Sequence, residues 1–242
     1  MKWLAGIAAI AGCAAALAFI DVQGTPALAQ AYQCRMPAAV SVPAITRDAA
    51  PRSVPITGYT LALSWSPEFC KGREMQSGQR TQCSGRNGRF GFIVHGLWPD
   101  GRSTWPQWCA NPRQVNPAEA RRNMCMMPST RLIARQWAKH GSCMTRTPAT
   151  YFKVTRILHD SLRMPGMDSL SRSDNLTAGD FRAAFVAANP DWPHSAIGLD
   201  LNRRGWLEEV RLCYGKDFMP KACEKRRYGP ADSASMKIWR GM

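Results

Sequence analysis

Acidic residues are scarce in this chain: 17 Asp and Glu stand against 32 Lys and Arg over 242 residues, a net charge of +15. That balance fits a polyanionic partner, since Lys and Arg gain affinity by displacing counterions from phosphates. It suits solubility or surface adhesion equally well, so charge alone does not choose between them. Histidine is rarer still, with four residues far apart. There is no C-x-x-C pair and no H-E-x-x-H, so the ligand spacings of zinc sites are missing, and neither a metal nor another cofactor is expected. G-x-S-x-G is missing too, which removes the serine nucleophile elbow. No internal repeat or long low-complexity tract interrupts the chain, and 45% hydrophobic residues can bury an ordinary core.

Long apolar runs are confined to the N-terminus. Lys2, the apolar stretch from Leu4 to Ile20 and the A-x-A site Ala27-Leu28-Ala29 read as an export signal over residues 1–29, so the mature chain begins near Gln30. Its removal takes Lys2 and Asp21, one charge of each sign, and leaves the net charge unchanged. An uncleaved membrane anchor is the alternative, because the run approaches spanning length. Lipid attachment at Cys13 is disfavoured, because the run continues past it. Cys13 leaves with the signal, and Cys34, Cys70, Cys83, Cys109, Cys125, Cys143, Cys213 and Cys223 remain. An even number in an exported chain predicts four disulfides and a periplasmic or extracellular location. No oligomerisation signal is visible, and a monomer without stable membrane insertion is expected.

From residue 30 to 56, Ala, Pro and Val recur without a helical or strand period, which predicts an extended leader over 30–57 that Cys34 pins to the body. Residues 58–65 alternate large apolar with small or polar side chains, as a half-buried strand does, and 90–97 form a second, more apolar strand. Between them, 71–89 is polar, Gly-rich and basic, a long loop that Cys70 and Cys83 can staple. Helices are predicted over 117–124, 130–140, 148–162 and 177–188, the last with a capping box of Thr177 and Asp180. A later strand over 206–214 alternates around Leu207, Val210 and Leu212. Strands and helices mix without a βαβ rhythm, which predicts an α+β fold with a central, mainly antiparallel sheet flanked by helices. One domain over 58–224 is expected, with a C-terminal tail at 225–242.

Two histidines lie in information-dense segments. His95 is in Phe92-Ile93-Val94-His95-Gly96-Leu97-Trp98-Pro99-Asp100, and His140 in Gln136-Trp137-Ala138-Lys139-His140-Gly141-Ser142-Cys143. Imidazoles titrate near neutral pH, so a pair can divide one reaction, one taking a proton while the other gives one. At about 100° per residue, Ile133, Gln136, Trp137 and His140 share a helix face, so His140 points the way the helix packs. Gly141 is a natural terminator, which places His140 at the negative end of the helix dipole and favours its charged form; Lys139 opposes this, and the sequence does not sign the net shift. His159 and His194 read as hydrogen-bonded core residues, and Trp3, Trp192 and Trp239 as core.

Residues 92–99 resemble the first active-site signature of the ribonuclease T2 family, F-x-aliphatic-H-G-L-W-P, and match it at every position. Residues 135–143 resemble the second, usually H-E-W-x-K-H-G-x-C. Leu61-Ala62-Leu63-Ser64-Trp65-Ser66-Pro67-Glu68-Phe69-Cys70 is similar to the family's first strand and following cysteine, particularly in bacterial members. The resemblance implies an exported endoribonuclease, independent of metal, that cleaves single-stranded RNA with low base specificity. In it His140 takes the ribose 2′-OH proton and His95 protonates the departing 5′-oxygen. Lys139 stabilises charge on the pentacoordinate phosphorus, and a 2′,3′-cyclic phosphate forms before hydrolysis to a 3′-phosphate. Trp98 matches the base-stacking aromatic, and Asp100 an acid that in some members bonds the base.

Two positions depart from the signature. Gln136 stands where the family usually has Glu; it can donate a hydrogen bond to a phosphoryl oxygen but cannot carry charge, which implies a reduced rate or a shifted pH optimum. Arg135 stands where the family usually has His. It can grip a phosphate bidentately, yet on an ideal helix it lies about 140° from His140 and then only flanks the site beside Lys139. The competing reading is a catalytically weakened, cationic RNA-binding or toxin protein on the same fold. An exported adhesion or structural protein accounts for the charge and cysteines but not for the paired histidines. The resemblance also implies Cys109–Cys143 and Cys213–Cys223 bridges; with Cys70 paired to Cys83, Cys34 and Cys125 remain for each other.

Overall fold

Leu61 and Leu63, alternating with Thr60, Ala62 and Ser64, lie at the centre of a four-stranded antiparallel sheet in a computed structural model of the chain. The described residues are 34–111 and 113–241, with the backbone of Ala27–Leu28. The expected export signal, Cys13 and Trp3 fall outside them, save that Ala27–Leu28 pairs antiparallel with Arg163–Met164. The sheet consists of β1 (Gly58–Trp65), β2 (Phe92–Asp100), β3 (Ile197–Leu201) and β4 (Leu207–Tyr214), in the order β2-β1-β4-β3. The helices that concern the site are α1 (Pro117–Asn123), α2 (Thr130–Lys139), α3 (Pro148–Asp160), α4 (Ala178–Ala188) and α5 (Lys225–Tyr228).

The sheet has an apolar and a polar face, as its period of two requires. Leu61, Leu63, Val94, Leu97, Val210 and Leu212 are fully buried on the first. Ile133 and Trp137 of α2, Tyr151 and Phe152 of α3, and Phe181 and Phe185 of α4 close the core over it. Each such side chain contributes about 1.5–3 kcal/mol on burial. The other face is small and polar, and register aligns it: Thr60 opposes Trp98 and Cys213, Ala62 opposes Gly96 and Arg211, and Ser64 opposes Glu209. Helix starts are fixed by side-chain caps at Asn116, Ser129 and Thr147, and Thr177 and Asp180 form the expected capping box.

The four disulfides are Cys34–Cys125, Cys70–Cys83, Cys109–Cys143 and Cys213–Cys223; the last two are those that the resemblance implied, Cys70–Cys83 staples the loop as expected, and Cys34–Cys125 is the pair left by elimination. Several expectations need correction. The second strand starts at Phe92 and runs on to Asp100, and β3 is additional. The loop over 71–89 contains two short helical turns, Ser77–Gln79 and Arg80–Cys83. Of the expected tail at 225–242, residues 225–241 are docked on the body: Met236 and Ile238 are buried, Trp65 Nε1 donates to the Trp239 carbonyl at 2.6 Å, and Leu207 N donates to the Lys237 carbonyl at 2.8 Å. Trp239 is half-buried, with Lys71 Nζ 4.2 Å from its ring, whereas Trp192 is core as expected. His159 is buried beside Asp160, but His194 is half-exposed, 3.8 Å from Asp232, and is no core residue.

Candidate active site

His95 owes its aim to a fault in the sheet. Ala62 pairs with Gly96 but Leu63 with Val94, so His95 is an extra residue in a β-bulge. In a regular strand residues 95 and 98 would face opposite sides; the bulge resets the parity and puts His95 with Trp98 on the polar face, while Val94 and Leu97 both stay in the core. Tyr151, fully buried, supports the strand here, its hydroxyl donating to the Leu97 carbonyl at 3.0 Å and accepting from Leu97 N at 3.2 Å. Across the sheet, His95 Nδ1 meets Glu209 Oε2 at 2.6 Å, and Arg211 Nε donates to Glu209 Oε1 at 2.8 Å. Burial works against the Glu209 charge, but the His95 hydrogen bond and the charges of His95 and Arg211 outweigh it and hold the carboxyl below its ordinary range. An ionised Glu209 accepts the Nδ1 proton, leaving Nε2 of His95 as the nitrogen for chemistry.

His140 is the opposite case. It is the C-cap of α2, buried, and its Nδ1 has no hydrogen-bond partner among the described residues. Burial first, then the charges of Lys139, His95, Arg227 and Arg135, push its pKa down to about 3. The shift that the sequence left unsigned is therefore downward, because desolvation and the surrounding cations all disfavour the charged imidazole. Gly141 does not end α2 by left-handed geometry; the chain continues as a turn over Gly141–Cys143, and a Cβ at Gly141 would come within 2.8 Å of both Trp137 and Tyr151.

Trp98 sits between the two imidazoles, its ring centroid 5.2 Å from His95 and 5.9 Å from His140. Its indole N–H donates to Gln136 Oε1 at 2.9 Å, so Trp98 orients the Gln136 carboxamide. Gly96 makes this possible, since a Cβ there would overlap the Gln136 carboxamide and lie 2.5 Å from Trp98 Nε1. Asp100 is engaged on both sides, accepting from Thr60 Oγ1 at 2.5 Å and Arg227 Nη2 at 2.8 Å. Arg227 also lies 5.3 Å from the Trp98 ring. Its position is set by Arg182, fully buried, which donates to the carbonyls of Ile197, Tyr228 and Pro230 and to Asp232. Lys139 and Arg135, on the last turns of α2, both bind the carboxylate of Asp48 from the leader.

Beside His95, Trp98 and Arg135 a cleft of about 700 Å³ runs along the polar face past Arg211, Arg73 and Lys71 to Arg204. Thus His95, Trp98, Gln136, Lys139 and His140 come together, Arg135 lies at their edge, and Asp100 faces Arg227 rather than the open cleft. Sequence reading missed Glu209, Arg211, Arg227 and Asp48. Strand alternation could have flagged Glu209 as facing the histidine strand, but only once the strand order was known.

A family model described as the Ribonuclease T2 family matches residues 57–174. A "Ribonuclease" of Aeromonas hydrophila is 30% identical over 166 residues, covering 66% of this chain and 72% of its own. A "Probable ribonuclease" of Haemophilus influenzae is 27% identical over 184 residues, covering 71% of this chain and 62% of its own, so this chain spans under two thirds of that relative's length. Among solved structures, an RNase-related protein from Calystegia sepium superposes with a TM-score of 0.60 at 21% identity, covering 75% of this chain and 97% of that one. RNase NT in complex with 5′-AMP superposes at 0.57 with 18% identity, covering 76% and 98%. These two likenesses carry the fold, and the sequence matches carry kinship: the chain belongs to the ribonuclease T2 family.

Proposed function

We propose that this protein is an exported endoribonuclease that cleaves single-stranded RNA without a metal and with low base specificity. The observation that carries the reading is the pair of imidazoles flanking Trp98 in opposite environments, His140 buried and neutral, His95 40% exposed with its Nδ1 on a carboxylate. Neutral His140 takes the proton of the ribose 2′-OH as the 2′-oxygen bonds to phosphorus. The P–O5′ bond breaks, and His95 Nε2 gives its proton to the departing oxygen. The 2′,3′-cyclic phosphate is then opened by water to a 3′-phosphate, with the two roles exchanged. The nucleophile comes with the substrate, so positioning supplies much of the rate. Lys139 is set to meet charge that grows on the phosphoryl oxygens. A pKa near 3 makes His140 a weak base in the free protein. Part of that depression comes from surrounding cations, and an arriving phosphodiester offsets them, strengthening the base when substrate is in place. Trp98 offers a stacking surface that tolerates all bases, and four disulfides fit an exported chain.

The test is a mixed-sequence RNA and its DNA counterpart incubated with the protein in excess chelator. Cleavage of RNA alone, with 2′,3′-cyclic phosphate ends, is expected. RNA bound but uncut from acid to neutral pH contradicts the reading and leaves a binding protein on a ribonuclease fold.

A further inference from the structure

Asp48 sits where an anion from solution would be held. Its carboxylate takes bonds from Lys139 Nζ at 2.9 and 3.2 Å, from the Trp108 indole N–H at 3.0 Å and from Arg135 Nη2. Two cations and a neutral N–H converging on one pair of oxygens form the donor set of a phosphate site. The donors belong to the rigid body. Trp108 is buried, and its backbone N–H donates to the Lys139 carbonyl at 2.8 Å, which fixes the indole to the end of α2. The acceptor does not: Asp48 rides on residues 46–51, every one of them exposed. The segment is held at its end, where the Ala50 carbonyl accepts from Gln107 Nε2 at 2.9 Å and the backbones of Arg52 and Gln107 pair, and before it by Cys34–Cys125, so that residues 46–49 are the stretch with no such anchor among the described residues apart from Asp48 itself.

We propose that Lys139, Arg135 and Trp108 form an anion subsite for a phosphate of the RNA chain, and that Asp48 occupies it in the resting protein as an intramolecular competitor. This rests on the ribonuclease reading above. A partner that merely positioned Lys139 would be expected to be sequestered, whereas the Asp48 side chain is 38% exposed and neutralises the cations that the site needs. The Lys139 hydrogen bond, opposed by slight desolvation and aided by Arg135, holds the Asp48 carboxyl well below the usual carboxylate range. Mild acid therefore does not vacate the subsite; a competing phosphate or displacement of residues 46–49 does.

The experiment is titration of the exported chain with inorganic phosphate, read by calorimetry, for wild type, Asp48→Asn, Asp48→Ala and Asp48→Glu, with thermal midpoints checked for each. The Asn and Ala variants are expected to bind phosphate roughly 3- to 10-fold more tightly, the scale of exposed ion pairs, and Glu to resemble wild type. With a dinucleotide substrate, KM falls in step and kcat does not decrease. Unchanged or weaker phosphate binding in Asp48→Asn, or a drop in kcat at constant KM, overturns the proposal and makes Asp48 a positioning residue for Lys139. Tighter phosphate binding in a protein that cleaves no RNA contradicts the ribonuclease reading while upholding the subsite.

Discussion

Replacing Glu209 with Gln isolates a charge effect on His95. The amide oxygen can still accept from Nδ1, so geometry is retained while the negative charge is lost. That charge faces the imidazole at 2.6 Å and is buried, whereas the imidazole is 40% exposed. Two unit charges about 4 Å apart interact by about 4 kcal/mol at an effective dielectric of 20. Halving this for solvent at the exposed ring leaves about 2 kcal/mol, which is a fall of roughly 30-fold in kcat if His95 must hold and deliver a proton. The assay is steady-state cleavage of a dinucleoside monophosphate across acid to neutral pH, with the thermal midpoint as a folding control. The loss should fall on kcat, because the missing charge serves the proton-transfer step and not the folding of the strand. A folded Glu209→Gln variant with kcat within about threefold of wild type refutes the idea that this carboxylate serves the acid.

Three further outcomes are expected. His140 stays neutral when folded down to about pH 3 but charges near 6.5 when unfolded, so stability falls as pH drops from 6.5 toward 3, by up to about 1.4 kcal/mol per unit; denaturant melts should show a shallower acid slope for His140→Phe than for wild type. Gly96→Ala should cost about 1–3 kcal/mol by overpacking against Gln136 and Trp98, and should lower kcat/KM more than stability, read by calorimetry and cleavage side by side. Arg182→Met should cost about 2–3 kcal/mol by leaving three carbonyls without their donor; because it releases α5 and Arg227, weaker binding of short RNA should accompany it.

Much of the architecture is legible because it rests on local rules. The alternation over 58–65 specifies a strand, though one buried on both faces rather than half-buried, Thr177 and Asp180 specify a helix start, and an even set of cysteines specifies a disulfide-stapled fold. The two histidine segments are legible because each signature is contiguous in sequence. What escapes is what tertiary structure alone creates. The bulge at His95 adds no residue signature of its own, and only pairing with β1 exposes the change of parity. Glu209 lies 114 residues from His95 and reads locally as the polar half of a strand. Asp48 is buried in the statistics of an Ala- and Pro-rich leader, and Arg227 in a basic stretch that reads as a solvated tail until Arg182 is seen to clamp it. The sign of the His140 shift depends on desolvation, which helix position does not report.

The roles of the two imidazoles make the central claim, and a change of leaving group separates them most directly. Wild type, His95→Ala and His140→Ala are compared on a dinucleoside monophosphate and on a nucleoside 3′-(4-nitrophenyl phosphate), whose phenolate leaves without an acid. Loss of either histidine should lower kcat on the dinucleotide by about 10²–10⁴. On the nitrophenyl ester His95→Ala should recover most of its rate, while His140→Ala, still lacking the base for the 2′-OH, should not. Equal losses on both substrates for both variants, or recovery by His140→Ala instead, contradicts the assignment of His140 as base and His95 as acid.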